Sequence, residues 1–112
     1  MNWIALTEMS QLDGIIASSH TRPQLIYKHS TRCNISSIAL KRLEKESFPE
    51  GIDFYFLDLL AYRSLSNAVA ERFQVHHESP QVILIRQGEV VYDESHLSIQ
   101  ADEILEQAGL TA

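Results

Sequence analysis

The segment from Gln24 to Ser37 joins an apolar run, a polar turn and the start of an amphipathic helix. The run Leu25–Tyr27 contains β-branched and aromatic residues and is typical of a central strand that is covered on both faces. The turn Ser30–Arg32 separates this strand from a helix that we predict over residues 33–47. The rest of the predicted fold is organised around this strand–turn–helix unit.

Other apolar patterns along the chain predict alternating strands and helices, followed by a hairpin. In chain order we predict an edge strand at 3–6, a helix at about 8–19 capped by Thr7, the central strand ending near His29, the helix at 33–47, a strand at 54–60, a helix capped by Ser64 or Ser66 that extends to about 74, strands at 81–86 and 89–93, and a helix capped by Ser98 and ended by Gly109. The dipeptide Gln87-Gly88 predicts a two-residue hairpin turn. Alternation predicts parallel pairing, and the hairpin adds antiparallel strands.

The helix predicted after the turn has one apolar face. Helical spacing predicts that Ile35, Ile38, Ala39 and Leu43 are buried on that face, and that Ser36 lies off it. Cys33, the only cysteine in the chain, stands where the turn becomes this helix.

Length and composition limit the class of protein. A chain of 112 residues with 45% hydrophobic residues predicts one domain, residues 1–112, with a substantial core. There is no apolar run near 18 residues and no basic, apolar N-terminal signal, so we expect neither a membrane span nor secretion. A single cysteine cannot form an internal disulfide, and we therefore expect the cytoplasm. The net charge, 9 − 15 = −6, argues against nucleic-acid binding.

Charge is distributed unevenly along the chain. No acidic residue lies between Gly14 and Leu43, whereas that segment contains Arg22, Lys28, Arg32, Lys41 and Arg42. We predict that this cationic surround, with Lys28 and Arg32 nearest, lowers the pKa of Cys33 and attracts an anionic thiol. The alternative is that these side chains only line solvated faces.

Cys33 is the main candidate for chemistry. The first N–H groups of a helix are unpaired and the helix dipole is positive there, so both favour a thiolate. The alternative is an inert, buried cysteine. Ser36 occupies the second position of a Cys-x-x-Cys motif, so the chain has no resolving cysteine. The remaining chemistry is attack on a mixed disulfide, formation of an adduct with a small thiol, and release by a second thiol.

Neighbouring polar residues have weaker signals. Ser36 could donate a hydrogen bond to the thiolate through its hydroxyl or its N–H, or could be an ordinary first-turn serine. His29 could act as a base, although a polar strand end is the preferred interpretation. The adjacent His76 and His77 would face opposite ways in a strand, so we expect no metal site.

The segment Lys28-His29-Ser30-Thr31-Arg32-Cys33-Asn34-Ile35-Ser36 resembles the bacillithiol-system redox-active family, the monothiol bacilliredoxins. That family carries a Thr-Cys-Pro-Ile-Ser motif. Cys33, Ile35 and Ser36 match it, whereas Arg32 and Asn34 replace the threonine and the proline. The resemblance implies a thioredoxin-like α/β fold, with a mixed central sheet and helices on both faces.

The same resemblance implies a set of site residues and partners. Ser79 and Pro80 take the place of the cis-proline step that faces the cysteine in thioredoxin-like proteins. Cys33 is then catalytic, with substrate contacts from Thr31, Arg32, Asn34, Ser36, Ser79 and Pro80. Bacillithiol or a similar small thiol is the co-substrate and S-thiolated proteins are the clients. We expect no bound cofactor, no metal, no nucleic acid and no membrane partner.

Two alternatives to a monothiol oxidoreductase remain open. The first is a non-catalytic thioredoxin-like module that senses oxidation or binds a protein. The second is a holder of an iron–sulfur cluster similar to monothiol glutaredoxins, whose Cys-Gly-Phe-Ser motif lacks its glycine and phenylalanine here.

Overall fold

A mixed β-sheet of five strands runs through the computed structural model, which describes residues 1–110. The elements are β1 (Trp3–Ala5), α1 (Ser10–Ser18), β2 (Gln24–His29), α2 (Asn34–Glu44), β3 (Asp53–Asp58), α3 (Arg63–Phe73), β4 (Gln81–Arg86), β5 (Glu89–Ser95), a 3₁₀ turn (His96–Ser98) and α4 (Ala101–Gln107). The single-domain prediction for residues 1–112 extends to residues 111 and 112, which lie outside the described residues.

Strand order in the sheet is β1-β3-β2-β4-β5. β1 and β2 both pair with β3 in parallel, whereas β4 pairs antiparallel with β2 and with β5. All six residues of β2 are buried. The predicted edge strand, central strand and parallel-plus-hairpin arrangement are therefore confirmed.

The core has two layers, one on each face of the sheet. Alternate residues of a strand point to opposite faces, so Tyr27 packs with Ala39 of α2 while Ile26 packs with Leu65 of α3. Each such fully buried apolar side chain stabilises the fold by about 1.5–3 kcal/mol. Helices thus cover both faces of the sheet, as predicted.

The observed helix starts differ from the predicted caps, and side chains other than the predicted ones bind N–H groups of the turns that precede the helices. α1 begins at Ser10, and the side-chain oxygen of Gln11 accepts hydrogen bonds from the N–H groups of Thr7 (2.8 Å) and Glu8 (3.0 Å). The prediction that Thr7 caps this helix is therefore wrong.

The other two predicted caps are wrong as well. Asp58 Oδ1 accepts from the N–H groups of Leu60 (3.1 Å) and Ala61 (3.3 Å). This turn ends β3 at Asp58, not at residue 60, and α3 follows from Arg63. Neither Ser64 nor Ser66 caps α3. Ser98 belongs to the 3₁₀ turn, and α4 begins after Gln100.

The hairpin turn is confirmed. Gln87 (φ 53°) and Gly88 (φ 80°) are both left-handed, which is the requirement of a two-residue type I′ turn. β5 continues two residues past the predicted end, to Ser95. Gly109 follows α4 with φ 73°, a conformation that ends a helix readily only at glycine.

α2 exposes a different face from the one predicted. Ile35 and Ile38 are 38% and 48% exposed, whereas Ser36 is fully buried together with Ala39 and Leu43. The prediction is therefore correct for Ala39 and Leu43 and wrong for Ile35, Ile38 and Ser36. The physical reason is that Ser36 finds hydrogen-bond partners inside the protein, described below. The helix also ends at Glu44, three residues before the predicted end.

Helices of residues 1–110 have at most 11 residues, and none of them is long and apolar enough to cross a membrane.

Candidate active site

Cys33 occupies the N-cap position of α2, directly after the turn that follows β2. Its backbone is extended (φ −112°, ψ 115°), and its N–H donates to the carbonyl oxygen of Ser30 at 3.1 Å. Its carbonyl oxygen accepts from the N–H of Ser37 at 3.4 Å. The side chain is partly exposed. The predicted position, at a helix N-terminus and at the edge where the parallel strands end, is confirmed.

Main-chain donors lower the pKa of the Cys33 thiol. The N–H of Ser36 has the largest effect, burial opposes it, and the Ser36 hydroxyl and the N–H of Ile35 add to it. The Cys33 side chain forms no capping hydrogen bond at the helix. We therefore assign the effect of these donors to the ionised sulfur, which attracts N–H and O–H groups more strongly than a thiol does.

The predicted help from Lys28 and Arg32 is wrong. Lys28 lies on the opposite face of β2, where its Nζ donates to the carbonyl oxygen of Ser66 and approaches His77 Nδ1, both at 3.2 Å. Arg32 is exposed to solvent, which screens its charge. Neither cation contributes to the lowered pKa of Cys33.

Ser36 is the centre of a buried hydrogen-bond network. Its hydroxyl oxygen accepts from the N–H of Ser30 at 3.3 Å and lies 3.5 Å from the hydroxyl oxygen of Ser79. Its carbonyl oxygen accepts from the Tyr27 hydroxyl at 2.7 Å. These contacts explain why Ser36, and not Ile35 or Ile38, faces the interior.

Tyr27 and Ser30 are site residues that sequence reasoning missed. Burial first, and then the negative charges of Cys33 and Glu44, raise the pKa of Tyr27, so its hydroxyl stays a donor. Strand alternation places Tyr27 and Lys28 on opposite faces of β2, but the apolar pattern of β2 does not show which of the two faces α2. The role of the Ser30 N–H had no comparable signal.

The Ser79–Pro80 peptide bond is cis, as predicted. Pro80 is buried and directly precedes β4, whose first residue, Gln81, pairs with Lys28 near the end of β2. This position brings Ser79 to the first turn of α2, where the two serine hydroxyls meet. Van der Waals contact between Pro80 and Cys33 itself stays a prediction.

The remaining predicted substrate contacts surround the cysteine on the surface. Thr31, Arg32 and Asn34 are exposed, and their side chains form no hydrogen bond within residues 1–110. Asn34 is the first residue of α2, but its N–H is not among the donors that lower the pKa of Cys33.

His29 is a buried, neutral imidazole. Its ring packs on Phe56 at 5.2 Å and on Tyr27 at 6.0 Å between centroids. Burial lowers its pKa, with opposing effects from Asp58 and Glu44. Nδ1 is buried and has no hydrogen-bond partner in residues 1–110. These features fit the preferred interpretation, a polar strand end.

The adjacent histidines have separate partners. His77 approaches Lys28, whereas Nε2 of His76 lies 3.6 Å from Oε2 of Glu78. Within residues 1–110, no three residues of the histidine, cysteine, aspartate and glutamate types are grouped as metal ligands.

A groove of about 530 Å³ lies between the N-terminus and Phe48, at the edge where the parallel strands begin. It is lined by residues such as Ile4 and Phe54 and does not include Cys33. The cysteine instead lies on an open surface at the opposite edge, which suits attack on a sulfur carried by another protein.

Solved structures with the same arrangement place the chain in the thioredoxin fold. One, described only as a candidate oxidoreductase with a thioredoxin fold, is 31% identical with a TM-score of 0.79, covering 95% of this chain and 92% of that chain. The thioredoxin of Malassezia sympodialis is 12% identical (TM-score 0.71; 96% and 89% covered), and that of Fasciola hepatica is 17% identical (TM-score 0.68; 94% and 95% covered).

A redox protein of the thioredoxin fold is therefore the class to which the chain belongs. Within that class, the family model described as Monothiol bacilliredoxin BrxC matches residues 4–104, and the chain belongs to this family. Membership implies a redox function with a small thiol as partner.

Proposed function

We propose that this protein is a monothiol thiol–disulfide oxidoreductase that removes bacillithiol from mixed disulfides on proteins. The observation that carries the proposal is the position of Cys33, the sole cysteine. It is partly exposed at the start of α2, and the donors of Ser36 and Ile35 favour its thiolate. Family membership supplies the class of small thiol.

The first step is a thiol–disulfide exchange. The Cys33 thiolate attacks the bacillithiol sulfur of the client mixed disulfide, so a bond forms between these two sulfurs. The bond between bacillithiol and the client breaks, and the client leaves as a thiolate that takes a proton from water. One disulfide is exchanged for another, so the step needs no external oxidant or reductant.

The second step regenerates the protein. Ser36 has no sulfur, so Cys33 cannot be released by an internal disulfide. A second bacillithiol molecule, as thiolate, attacks the bacillithiol sulfur held on Cys33. Bacillithiol disulfide leaves, and Cys33 returns as the thiolate.

Residues around the cysteine support binding of the mixed disulfide. In our proposal the main chain at Ser79 and the ring of Pro80 bind the chain on one side of the disulfide. Thr31, Arg32 and Asn34 are exposed next to the sulfur and are available to the small thiol. The charge of Arg32 then serves recognition of an anionic thiol, since it does not lower the pKa of Cys33.

The proposed reaction needs no bound cofactor, because bacillithiol is both leaving group and co-substrate. Its clients are proteins that carry bacillithiol on cysteine. The cytoplasm is the proposed location, because small-molecule thiols keep cysteines reduced there.

The test is turnover of a bacillithiolated protein by the parent, by Cys33→Ser and by Ser37→Ala. Ser37 is exposed in the same helix turn and is the matched control. We expect turnover by the parent and by Ser37→Ala, none by Cys33→Ser, and an adduct on Cys33 by mass spectrometry. Equal turnover by Cys33→Ser would overturn the proposal.

A binding module is the second candidate function. Ile35 and Ile38 are exposed on α2 next to Cys33, an arrangement that also suits a protein partner. Absence of the Cys33 adduct, although the cysteine is accessible to iodoacetamide, would favour this candidate.

A further inference from the structure

The ammonium group of Lys28 and the imidazole of His77 form a hydrogen bond behind the sheet. Nζ of Lys28 lies 3.2 Å from Nδ1 of His77 and donates to the carbonyl oxygen of Ser66, also at 3.2 Å. A charged lysine can only donate, so Nδ1 is the acceptor. His77 is therefore neutral in this contact and carries its single ring hydrogen on Nε2.

This contact holds the segment 74–80, which joins α3 to β4, against the central strand. The side-chain nitrogen of Gln81 holds the same segment, because it donates to the carbonyl oxygen of His76 at 2.8 Å. Of these two attachments, only the one at His77 has an acceptor that can take up a proton near neutral pH.

We propose that the Lys28–His77 contact is a pH-sensitive switch: protonation of His77 in mild acid breaks the contact and releases residues 76–79 from β2. A protonated imidazole has a hydrogen on each nitrogen, so Nδ1 can no longer accept. It also places a second positive charge beside the ammonium group. The His77 ring is partly exposed and can turn to water, whereas Lys28 is fully buried and cannot.

Lys28 has other acceptors beside it when His77 leaves. Gln81 is paired with Lys28 in the β2–β4 ladder, and directly opposite residues project to the same face of a sheet. The side-chain oxygen of Gln81 and the hydroxyl of Ser66 are buried, and neither has a hydrogen-bond partner within residues 1–110. Either oxygen can accept from Lys28, so the buried charge is satisfied in both states of the switch.

The charged groups around His77 come from the central strand, from α3 and from its own segment. Burial has the largest effect on the pKa of His77 and lowers it, and Lys28 of β2 and Arg63 of α3 lower it further. The neighbouring His76 acts in the same direction, whereas Glu78 opposes them.

The opposing carboxylate, Glu78, has two further histidines beside it. Its Oε1 lies 3.3 Å from Nε2 of His96 in the 3₁₀ turn, and its Oε2 lies 3.6 Å from Nε2 of His76. Both imidazoles become cations in acid and then form ion pairs with Glu78. The carboxylate is therefore bound by other partners under the conditions in which His77 acquires its charge.

The first measurement follows the histidine ring signals by NMR between pH 5 and 8. The signal that is missing from His77→Asn identifies His77. We expect the Nε2–H tautomer at pH 7.5, with a nuclear Overhauser effect between this ring and the Lys28 side chain that disappears as His77 titrates. In Lys28→Met the proton affinity of His77 should rise about fivefold, the effect of removing one unit charge at this distance.

The second measurement is the backbone order parameter of residues 76–79 at pH 7.5 and pH 5. We expect the order parameters of the parent to fall at pH 5. In His77→Asn the amide oxygen takes the place of Nδ1 and cannot be protonated there, so they should stay constant. His76→Asn is the matched control, because the side chain of His76 is 91% exposed, and this variant should behave as the parent does.

Two results would overturn the inference. One is a protonated His77 that keeps its Overhauser effect to Lys28, and the other is a loss of order in His77→Asn equal to that of the parent. Urea unfolding at both pH values establishes that each variant is folded, and the His77→Asn arm decides the matter if Lys28→Met is not. No thiol substrate is involved, so the result is independent of the proposed function.

Discussion

The hydroxyl of Tyr27 donates a 2.7 Å hydrogen bond to the carbonyl oxygen of Ser36. It joins the central strand to the first turn of α2, on the side of the turn opposite to solvent. The hydrogen bond from Tyr27 therefore holds this turn, which carries the N–H groups of Ser36 and Ile35, against the sheet.

Replacing Tyr27 by phenylalanine removes that bond and keeps the ring. We expect Tyr27→Phe to lower the free energy of unfolding by about 1 kcal/mol, measured by urea denaturation. Tyr55→Phe is the control, because Tyr55 lies on the neighbouring strand and its hydroxyl has no hydrogen-bond partner within residues 1–110. Equal stability of the two variants would contradict the assignment.

Iodoacetamide alkylation of the parent protein should have its midpoint below the ordinary cysteine value of about 8.5. The main cause is the N–H of Ser36, so the lowered pKa does not depend on nearby cations. We therefore expect Arg32→Gln to leave the midpoint unchanged. A rise of the midpoint in Arg32→Gln would restore the electrostatic explanation that the structure does not support.

Asn34→Pro restores the proline of the family motif, and we expect it to keep the fold. Proline is favoured at the first position of a helix, and the residue before it, Cys33, already has the extended backbone that proline requires (φ −112°, ψ 115°). The proline reduces the number of conformations open to the unfolded chain, so the free energy of unfolding should rise by about 0.4–1 kcal/mol.

The same variant should change the turnover rate without moving the thiol midpoint, because the N–H of Asn34 is not a donor to Cys33. Asn34→Ala removes the side chain without constraining the backbone and is the control. A raised midpoint in Asn34→Pro alone would show that this N–H does interact with the sulfur.

Lys28 makes stability depend on alkaline pH. Its side chain is 0% exposed, has no carboxylate partner within residues 1–110, and burial lowers its pKa from 10.5 to about 8. Between these two values the unfolded chain binds a proton that the folded protein does not. The free energy of unfolding must therefore rise with pH in this window.

We expect Lys28 to raise the free energy of unfolding by about 2 kcal/mol between pH 7.5 and 9.5. The Lys28→Met variant should lack this contribution. Lys41→Met, at an exposed position of α2, should keep the rise and is the control. The window stays below pH 10, where Tyr27 and Tyr92, whose pKa values are raised, begin to contribute with the opposite sign. Parallel curves for the parent and Lys28→Met would contradict the prediction.

Local patterns were enough to predict the order of elements. The apolar run of β2, the Gln87-Gly88 turn and the cysteine at the start of α2 each depend on neighbours in sequence. The orientation of α2 does not. Counting apolar residues favours burial of Ile35 and Ile38, but Tyr27, Ser30 and Ser79 satisfy Ser36 inside the protein.

The direction of Lys28 was equally inaccessible from the pattern. β2 is buried on both faces, so alternation of polar and apolar residues, which normally identifies the inner face, is missing there. The hydrogen bonds that Gln11 and Asp58 make in the turns before α1 and α3 were not predicted either.

Ser36 has one further consequence, for how the protein responds to its surroundings. In the proposed reaction Ser36 cannot form a disulfide with Cys33, so the oxidised form carries one small thiol, which comes from a small-molecule disulfide as the other half of that disulfide is released. The fraction of protein in this form then depends on the ratio of small-molecule disulfide to small thiol. A protein that closes an internal disulfide releases two thiols, so its state also depends on their total concentration. The oxidised fraction of a protein with serine at this position therefore follows the ratio of small-molecule disulfide to small thiol, and it does not change when both are diluted equally.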